Sequence, residues 1–144
     1  MVAAKGVEIY PLEAIQGQMA QFYTPQSSDE TMLVRIPGCI CNSLFVHRSQ
    51  TDQLLPVRGS FVLAVLENRT YRYIPMNAQQ PQAVKIPPGV PHGAINPNDT
   101  SCLLVNAVLR HRPPHARDYV PIEPPVPYDV DAARAQLQAT QVAC

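Results

Sequence analysis

Ile86-Pro87-Pro88-Gly89-Val90-Pro91-His92-Gly93-Ala94-Ile95-Asn96 is the most informative segment of this 144-residue sequence. Its three prolines fix φ near about −65° and donate no backbone hydrogen bond, so the turn samples few conformations. Gly89 can adopt positive φ at little steric cost. The segment therefore predicts a stiff elbow between two strands. His92 would begin the second strand, with Asn96 four residues on and on the same face.

Short apolar runs separated by turn residues surround this elbow. Such runs, about eight to twelve residues apart, predict a β-sandwich or barrel. Glu67-Asn68-Arg69 reads as a hairpin connection, in which Asn68 can take a left-handed conformation. The predicted strands are Val7–Tyr10, Met32–Ile36, Ile40–His47, Leu54–Val57, Phe61–Leu66, Thr70–Ile74, Ala83–Ile86 and Cys102–Leu109.

The C-terminal third has a different composition. Residues 110–128 contain six prolines, which excludes a regular sheet interior and indicates an extended arm. Good helix formers follow, and Asp129 or Asp131 can cap a short helix over residues 129–142. With a barrel over about residues 32–109 and no linker, the sequence predicts one domain spanning residues 1–144.

The overall charge and composition exclude several classes of function. The formal net charge is zero and only 15% of residues are charged, so we expect binding neither to nucleic acid nor to a membrane surface. No long apolar run or signal peptide is evident, which predicts a cytoplasmic protein. The four cysteines, Cys39, Cys41, Cys102 and Cys144, are expected to be buried, reduced thiols.

Two segments resemble the motifs of the cupin superfamily. Pro87-x-Gly89-x-x-His92-x-x-x-Asn96 matches the second cupin motif at every fixed position, and His47 to Asp52 followed by Gly59 resembles a degraded first motif. Gln50-Thr51-Asp52-Gln53, Asp118-Tyr119 and Pro127-Tyr128-Asp129 are similar to small RmlC-like cupins related to dTDP-4-dehydrorhamnose 3,5-epimerase. The resemblance covers residues 30–129 and implies an all-β double-stranded β-helix, the cupin jelly roll, with a short C-terminal helix.

The resemblance also implies where a site lies. His47 matches the second histidine of the first motif, Asp52 stands at its acid, and His92 matches the histidine of the second motif. Phe45 occupies the place of the first histidine. Two imidazoles and a carboxylate could bind Fe(II), with Mn or Zn as alternatives, but without a first histidine a metal-free pocket with no cofactor is the leading prediction.

The epimerase chemistry itself lacks two expected groups. The family's base position aligns with Phe45, and the strand Cys102–Leu109 has no tyrosine to serve as the acid. We still predict His47 and His92 as the catalytic residues of an isomerase- or epimerase-like cupin. Further polar side chains predicted to point inward and bind substrate are Arg35, Gln53, Asn96 and Asn106.

Three functions remain open from the sequence. The first is a small-molecule cupin that acts on a carbohydrate-like or other polar metabolite. The second is a divalent-metal cupin, an oxygenase or isomerase, that uses His47, Asp52 and His92. The third is a non-catalytic module for ligand binding or assembly. A homodimer is expected in each case, because the strand Val7–Tyr10 and the proline-rich arm could both exchange onto a neighbouring sheet.

Overall fold

The computed structural model describes residues 6–12, 14–16, 21–23, 27–115 and 117–141. Within these ranges the chain forms strands and one helix, α1 (Val130–Gln138). All strand pairings are antiparallel. The strands are β1 (Glu8–Pro11), β2 (Ala14–Gln16), β3 (Gln21–Tyr23), β4 (Glu30–Ile36), β5 (Ile40–Cys41), β6 (Leu44–His47), β7 (Gln50–Arg58), β8 (Ser60–Glu67), β9 (Thr70–Asn77), β10 (Gln82–Ile86), β11 (His92–Asn96), β12 (Cys102–Arg110) and β13 (Tyr119–Ile122).

Two large sheets form the body of the protein. The first has the strand order β1-β10-β7-β12-β4, and the second has the order β13-β6-β11-β8-β9, with β5 also paired to β11. A separate hairpin joins β2 and β3. This all-β architecture with a short C-terminal helix confirms the predicted jelly roll. The predicted strand at Val7–Tyr10 is observed at Glu8–Pro11, where it pairs with β10 of the same chain.

The hydrophobic core lies between the two sheets. Strand β8 is buried along most of its length, as its unbroken apolar run predicts. The largest fully buried side chains of this core are Phe61, Met76, Ile86 and Leu104. These core side chains do not fill the space next to β4 and β6, so the two sheets leave an open cavity between them on that side.

The C-terminal helix packs on the outer face of the second sheet. Asp129 is its N-cap, and the Asp129 carboxylate accepts a hydrogen bond from the Ala132 amide at 2.9 Å, as predicted. Ala133 and Leu137 are buried against the outer side of β8 and β11. The helix ends at Gln138 rather than at 142, and residue 142 itself lies outside the described residues.

Two turns follow directly from their residues. Asn68 and Arg69 both adopt positive φ, 52° and 64°, which is the backbone of a type I′ hairpin between β8 and β9. Gly89 has φ 84°, so the elbow before β11 uses the conformation that glycine permits. The amide of Gly89 donates to the carbonyl oxygen of His47 at 2.8 Å, which fastens the elbow to the end of β6.

The predicted continuous strand Ile40–His47 is wrong, because a bulge divides it into β5 and β6. Cys41 pairs with Ile95 and Phe45 with His92, so four steps along this segment match three steps along β11. One extra residue is therefore accommodated at 42–43. Gly93 permits the close approach, since a Cβ there would lie 2.8 Å from the carbonyl oxygen of Ser43.

The proline-rich arm contributes a strand that the sequence did not indicate. Tyr119–Ile122 pairs with β6 as the edge strand β13, with Tyr119 opposite His47. Pro121 is tolerated there because an edge strand has one side without ladder hydrogen bonds. The arm therefore extends the second sheet and forms part of the cavity wall.

Two smaller predictions can also be compared with the described residues. Cys39, Cys41 and Cys102 are free thiols, as predicted, but only Cys102 is buried, whereas the predicted burial of Cys39 and Cys41 is wrong because both are exposed. Across the described part of the chain, α1 is too short and too polar to span a bilayer.

Candidate functional site

The elbow and the bulge bring two histidines together. The Gly89 hydrogen bond holds the start of β11 against the end of β6, and His92 pairs directly with Phe45. His47 and His92 lie 45 positions apart in sequence, yet their ring centroids are 5.5 Å apart. Their predicted convergence inside the barrel is confirmed.

Asp52 joins the two histidines into one cluster. The Nε2 atoms of His47 and His92 each lie 3.2 Å from Asp52 Oδ2. The other carboxylate oxygen accepts a 2.7 Å hydrogen bond from Gln50 Nε2. Asp52 is almost fully buried, and the histidine side chains are only 15% and 11% exposed, so the cluster is largely shielded from bulk water.

The electrostatics of the cluster favour an ionised carboxylate. Burial opposes ionisation of Asp52, but the adjacent His47 and His92, through hydrogen bonding and positive charge, hold the pKa of Asp52 well below its usual range. His92 Nδ1 also lies 3.0 Å from the carbonyl oxygen of Val90. Both ring nitrogens of His92 thus lie within hydrogen-bond distance of an oxygen.

The cluster lies in the wall of a cavity of about 550 Å³ between the sheets. This is the size of a small-molecule site. Polar side chains line the end at which β12 finishes and the arm begins, including Glu30, Gln50, Arg110 and Asp118. Apolar side chains line the remainder, among them Val34, Ile36, Leu54, Phe61, Leu63 and Leu104.

Of the predicted substrate-binding residues, Asn106 and Arg35 border this cavity. Asn106 lies on the inner face of β12, where its Oδ1 accepts the Gln53 backbone N–H at 3.1 Å. Arg35 is exposed, and its Nε donates to Ser101 Oγ at 3.3 Å. Asn106 therefore has the more direct access to a ligand.

The predicted contribution of Gln53 and Asn96 to the cavity is wrong. Gln53 follows Asp52 in β7, so the strand alternation turns it to the outer face, where its Nε2 donates to the Ala107 carbonyl at 2.8 Å. Asn96 shares a face with His92 as predicted, but it is fully buried at the far end of β11. Its amide donates to the carbonyls of Pro37 and Thr100 and so fastens two loops.

Tyr119 is a site residue that the sequence analysis did not identify. It stacks on Phe45 at a centroid distance of 4.7 Å and lies 5.7 Å from the His47 ring. Burial raises the pKa of its hydroxyl, so it stays protonated at neutral pH. We had sought a tyrosine on β12, whereas the arm supplies one beside β6. The only signal was the Asp118-Tyr119 pair in the resemblance to small cupins.

Asp118 anchors the turn that follows His47. Its Oδ1 accepts hydrogen bonds from the Ser49 amide at 2.7 Å, the Ser49 hydroxyl at 2.6 Å and the Arg48 amide at 3.1 Å. Burial opposes ionisation, but these donors and the nearby His47 lower the pKa of Asp118. The arm is thereby tied to the β6–β7 turn, which limits the movement of His47.

Two facing antiparallel sheets that enclose this cavity and its histidine–carboxylate cluster define the fold as a cupin. More narrowly, the protein has the RmlC-like cupin fold, as its structural neighbours show. It superimposes on a dTDP sugar isomerase from Desulfovibrio desulfuricans with a TM-score of 0.72 and 13% identity, covering 92% of this chain and 95% of that one.

Two further neighbours have the same fold. A sugar 3,4-ketoisomerase from Thermoanaerobacterium thermosaccharolyticum in complex with TDP gives a TM-score of 0.65 at 16% identity, over 91% of this chain and 96% of that one. A 4-keto-6-deoxy sugar epimerase from Streptomyces spheroides gives 0.68 at 13% identity, over 86% and 72%. No protein-family model and no curated protein sequence matches the chain.

Proposed function

We propose that this protein is a small-molecule cupin that acts on a carbohydrate-like or other polar carbonyl metabolite as an isomerase or epimerase. The observation that supports this most is the convergence of His47 and His92 on one buried carboxylate, Asp52, in the wall of a ligand-sized cavity. The naming of its structural neighbours as sugar isomerases and epimerases agrees with this proposal.

The cluster suits proton transfer next to a carbonyl group. His47 Nδ1 is buried without a hydrogen-bond partner among the described residues, which leaves Nε2 as the ring nitrogen for the cavity. Nε2 of His47 faces Asp52, so His47 acts as the base when Nε2 exchanges that contact for the C–H group beside the ligand carbonyl. Nε2 then takes the proton, the electron pair of the C–H bond moves onto the carbonyl oxygen, and Asp52 stabilises the imidazolium that results. His92 Nε2, which also faces Asp52, can share its N–H with the oxygen that becomes negatively charged.

In a ligand with a hydroxyl group on the carbon that loses the proton, returning the proton to the former carbonyl carbon completes an isomerisation, while the hydroxyl proton passes to the former carbonyl oxygen. Because the proton leaves and returns on one face of the ligand, this reaction needs no acid on the opposite face. Epimerisation does need such an acid, and Tyr119 is the candidate, since it lines the same cavity with a protonated hydroxyl. Isomerisation therefore requires fewer catalytic groups in this site than epimerisation does.

The test is uptake of deuterium from heavy water at the carbon next to the carbonyl. Ketoses, keto-deoxy sugars and their TDP esters would be followed by NMR with wild-type protein. We expect His47→Asn and His92→Asn to slow uptake by about 10²- to 10⁴-fold. His111→Asn is the matched control, because His111 is exposed and hydrogen-bonds Thr51 away from the cluster.

The outcomes separate the hypotheses. Unchanged exchange in both cluster variants would contradict the proposal. Binding of a ligand without any exchange would instead identify the non-catalytic module for ligand binding or assembly.

A divalent-metal cupin is the second candidate. The potential ligand atoms of His47, Asp52 and His92 all lie within 4.8 Å of one another, and two imidazoles with one carboxylate form a donor set suited to Fe(II), Mn or Zn. His92 Nδ1 also meets the Val90 carbonyl, which is how metal-binding histidines are commonly oriented. A bound metal would polarise a carbonyl oxygen of the ligand.

Metal binding can be measured without an activity assay. After chelation, Fe(II), Mn or Zn would be added to wild-type protein and to Asp52→Asn, and thermal unfolding recorded. A metal at a hundredfold excess over its Kd stabilises the native state by about 2.7 kcal/mol. A shift in wild type that is absent in the variant supports the metal cupin, whereas no shift in either supports the metal-free site.

A further inference from the structure

The cavity is chemically divided along its length. Gln50 pairs with Arg110 at one end of the β7–β12 ladder, Leu54 pairs with Asn106 further along, and Leu104 pairs with Val34 of β4 further still. Asp52 lies between the first two levels, so the cluster marks a boundary. Beyond the cluster, the polar lining side chains are Arg35, Asn42 and Asn106, and the other walls are apolar. The apolar walls are formed by Val34, Ile36, Leu54, Phe61, Leu63, Ala94 and Leu104.

The guanidinium group of Arg110 at the polar end of the cavity is already paired. Arg110 is engaged by the Glu30 carboxylate, which accepts from its Nε at 3.1 Å and also from Nη2, and by Gln50 Oε1 at 2.7 Å. The described cavity walls hold the carboxylates of Glu30, Asp52 and Asp118, the guanidinium groups of Arg35 and Arg110, and the imidazoles of His47, His92 and His115. A diphosphate is best bound by guanidinium groups that have no carboxylate partner, and among these lining residues only the exposed Arg35 is such a group.

Asn106 supplies one polar contact inside the apolar part. Its Oδ1 is occupied by the Gln53 amide, while its Nδ2 donates to no described residue. Asn106 is nearly buried and borders the cavity, so this N–H group can be satisfied by a ligand acceptor. The side-chain amide of Asn106 thus offers a hydrogen-bond donor among aliphatic and aromatic side chains.

We propose that the ligand is a carbonyl compound with a hydrocarbon segment and without a diphosphate. Its carbonyl lies at the His47–Asp52–His92 cluster, and its hydrocarbon segment extends past the cluster toward Val34 and Leu104. The location of the carbonyl rests on the proposed function. The choice of a hydrocarbon segment over a nucleoside diphosphate rests on the apolar walls and on the pairing of Arg110 with Glu30.

The probes are unbranched methyl ketones from butan-2-one to octan-2-one, with TDP as the charged comparator. Dissociation constants would be measured by ligand-detected NMR titration. Each added methylene that leaves water should tighten binding about fourfold until the apolar end is filled. TDP should not bind over the same concentration range. Affinity independent of chain length, or TDP binding tighter than octan-2-one, would overturn the proposal.

Two isosteric variants test where the hydrocarbon segment of the ligand binds. Val34→Thr places a hydroxyl in the apolar end and should weaken octan-2-one binding by about fivefold while leaving butan-2-one less affected. Val105→Thr is the control, because Val105 lies on the outer face of the same sheet, opposite Leu33. Equal effects of the two variants would contradict the location. Both are conservative on β-strands, so the fold should persist.

The same titrations distinguish this proposal from the proposed function. If affinity rises with chain length but His47→Asn changes neither carbonyl binding nor deuterium uptake, the ligand class stands and the proton-transfer function fails. If His47→Asn abolishes uptake while affinity is independent of chain length, the function stands and the ligand class fails.

Discussion

Replacing Asp52 by Asn tests the electrostatic basis of the site. Asp52 is 3% exposed, and it meets Gln50 Nε2 at 2.7 Å and the Nε2 atoms of His47 and His92 at 3.2 Å. Hydrogen bonds to a buried charged group contribute about 1.5–3 kcal/mol. The amide retains the size of the side chain but not its charge. We therefore expect a loss of about 3 kcal/mol at pH 7, or a Tm lower by roughly 6–12 °C.

The pH dependence gives a sharper test than the size of the loss. The pKa of Asp52 is lower in the folded protein than in the unfolded chain, so its stabilisation is fully present above the unfolded value of about 4. It disappears as the pH falls from there through the folded value. The stability difference between wild type and Asp52→Asn should therefore be fully present at about pH 5 and shrink at lower pH.

The assay is urea unfolding of both proteins at pH 7 and at pH 3. Asp131→Asn is the control, because Asp131 is 96% exposed and its pair with Arg134 spans 3.8 Å at the surface. We expect that control to cost less than about 1 kcal/mol at either pH. Equal stability of wild type and Asp52→Asn at pH 7, or a difference as large at pH 3 as at pH 7, would refute the reasoning.

Three other outcomes are expected. Asn96→Ala should lower the free energy of unfolding by about 2–3 kcal/mol in urea titrations yet leave ketone affinity unchanged, because its amide fastens loops outside the cavity. Gly93→Ala should cost about 1–3 kcal/mol, since its Cβ would lie 2.8 Å from the Ser43 carbonyl; a stable variant would contradict the close approach. A homodimer is expected from exposed Leu33 and Val57, so sedimentation equilibrium should give twice the 15.9 kDa chain mass, and Leu33→Asp should return it to one chain mass.

The sequence was most informative where structure is determined locally. The elbow needs only Gly89 and its neighbouring prolines, and the hairpin turn was signalled by Asn68, so both were predictable from residue type, although the positive φ of Arg69 was not. The convergence of His47 and His92 was predictable through the motif, which encodes a pairing between distant strands. These features depend on short segments whose conformations have few alternatives.

Features that depend on long-range contacts were missed. The bulge at 42–43 exists because Gly93, fifty positions away, admits the Ser43 carbonyl, and no periodicity in either strand shows this. Tyr119 reaches the site because β13 pairs with β6, although six prolines in the arm argued against any strand. Gln53 was predicted to point inward, but β7 begins at Gln50 and carries Asp52 inward, so strand alternation turns Gln53 outward.

Because β13 is an edge strand, the part of the cavity wall formed by the arm can change in evolution independently of the part formed by the barrel strands. The arm is held to the body by the β13–β6 ladder and by hydrogen bonds of Asp118, of His111 with Thr51, and of the Val126 carbonyl with the Tyr71 hydroxyl. It supplies Tyr119 without any described side chain of its own in the core between the sheets. Substitutions, insertions or deletions in the arm can therefore change ligand preference while the strands that carry His47, Asp52 and His92 remain intact. Selection for a new ligand would accumulate changes in residues 111–127 before it altered the barrel.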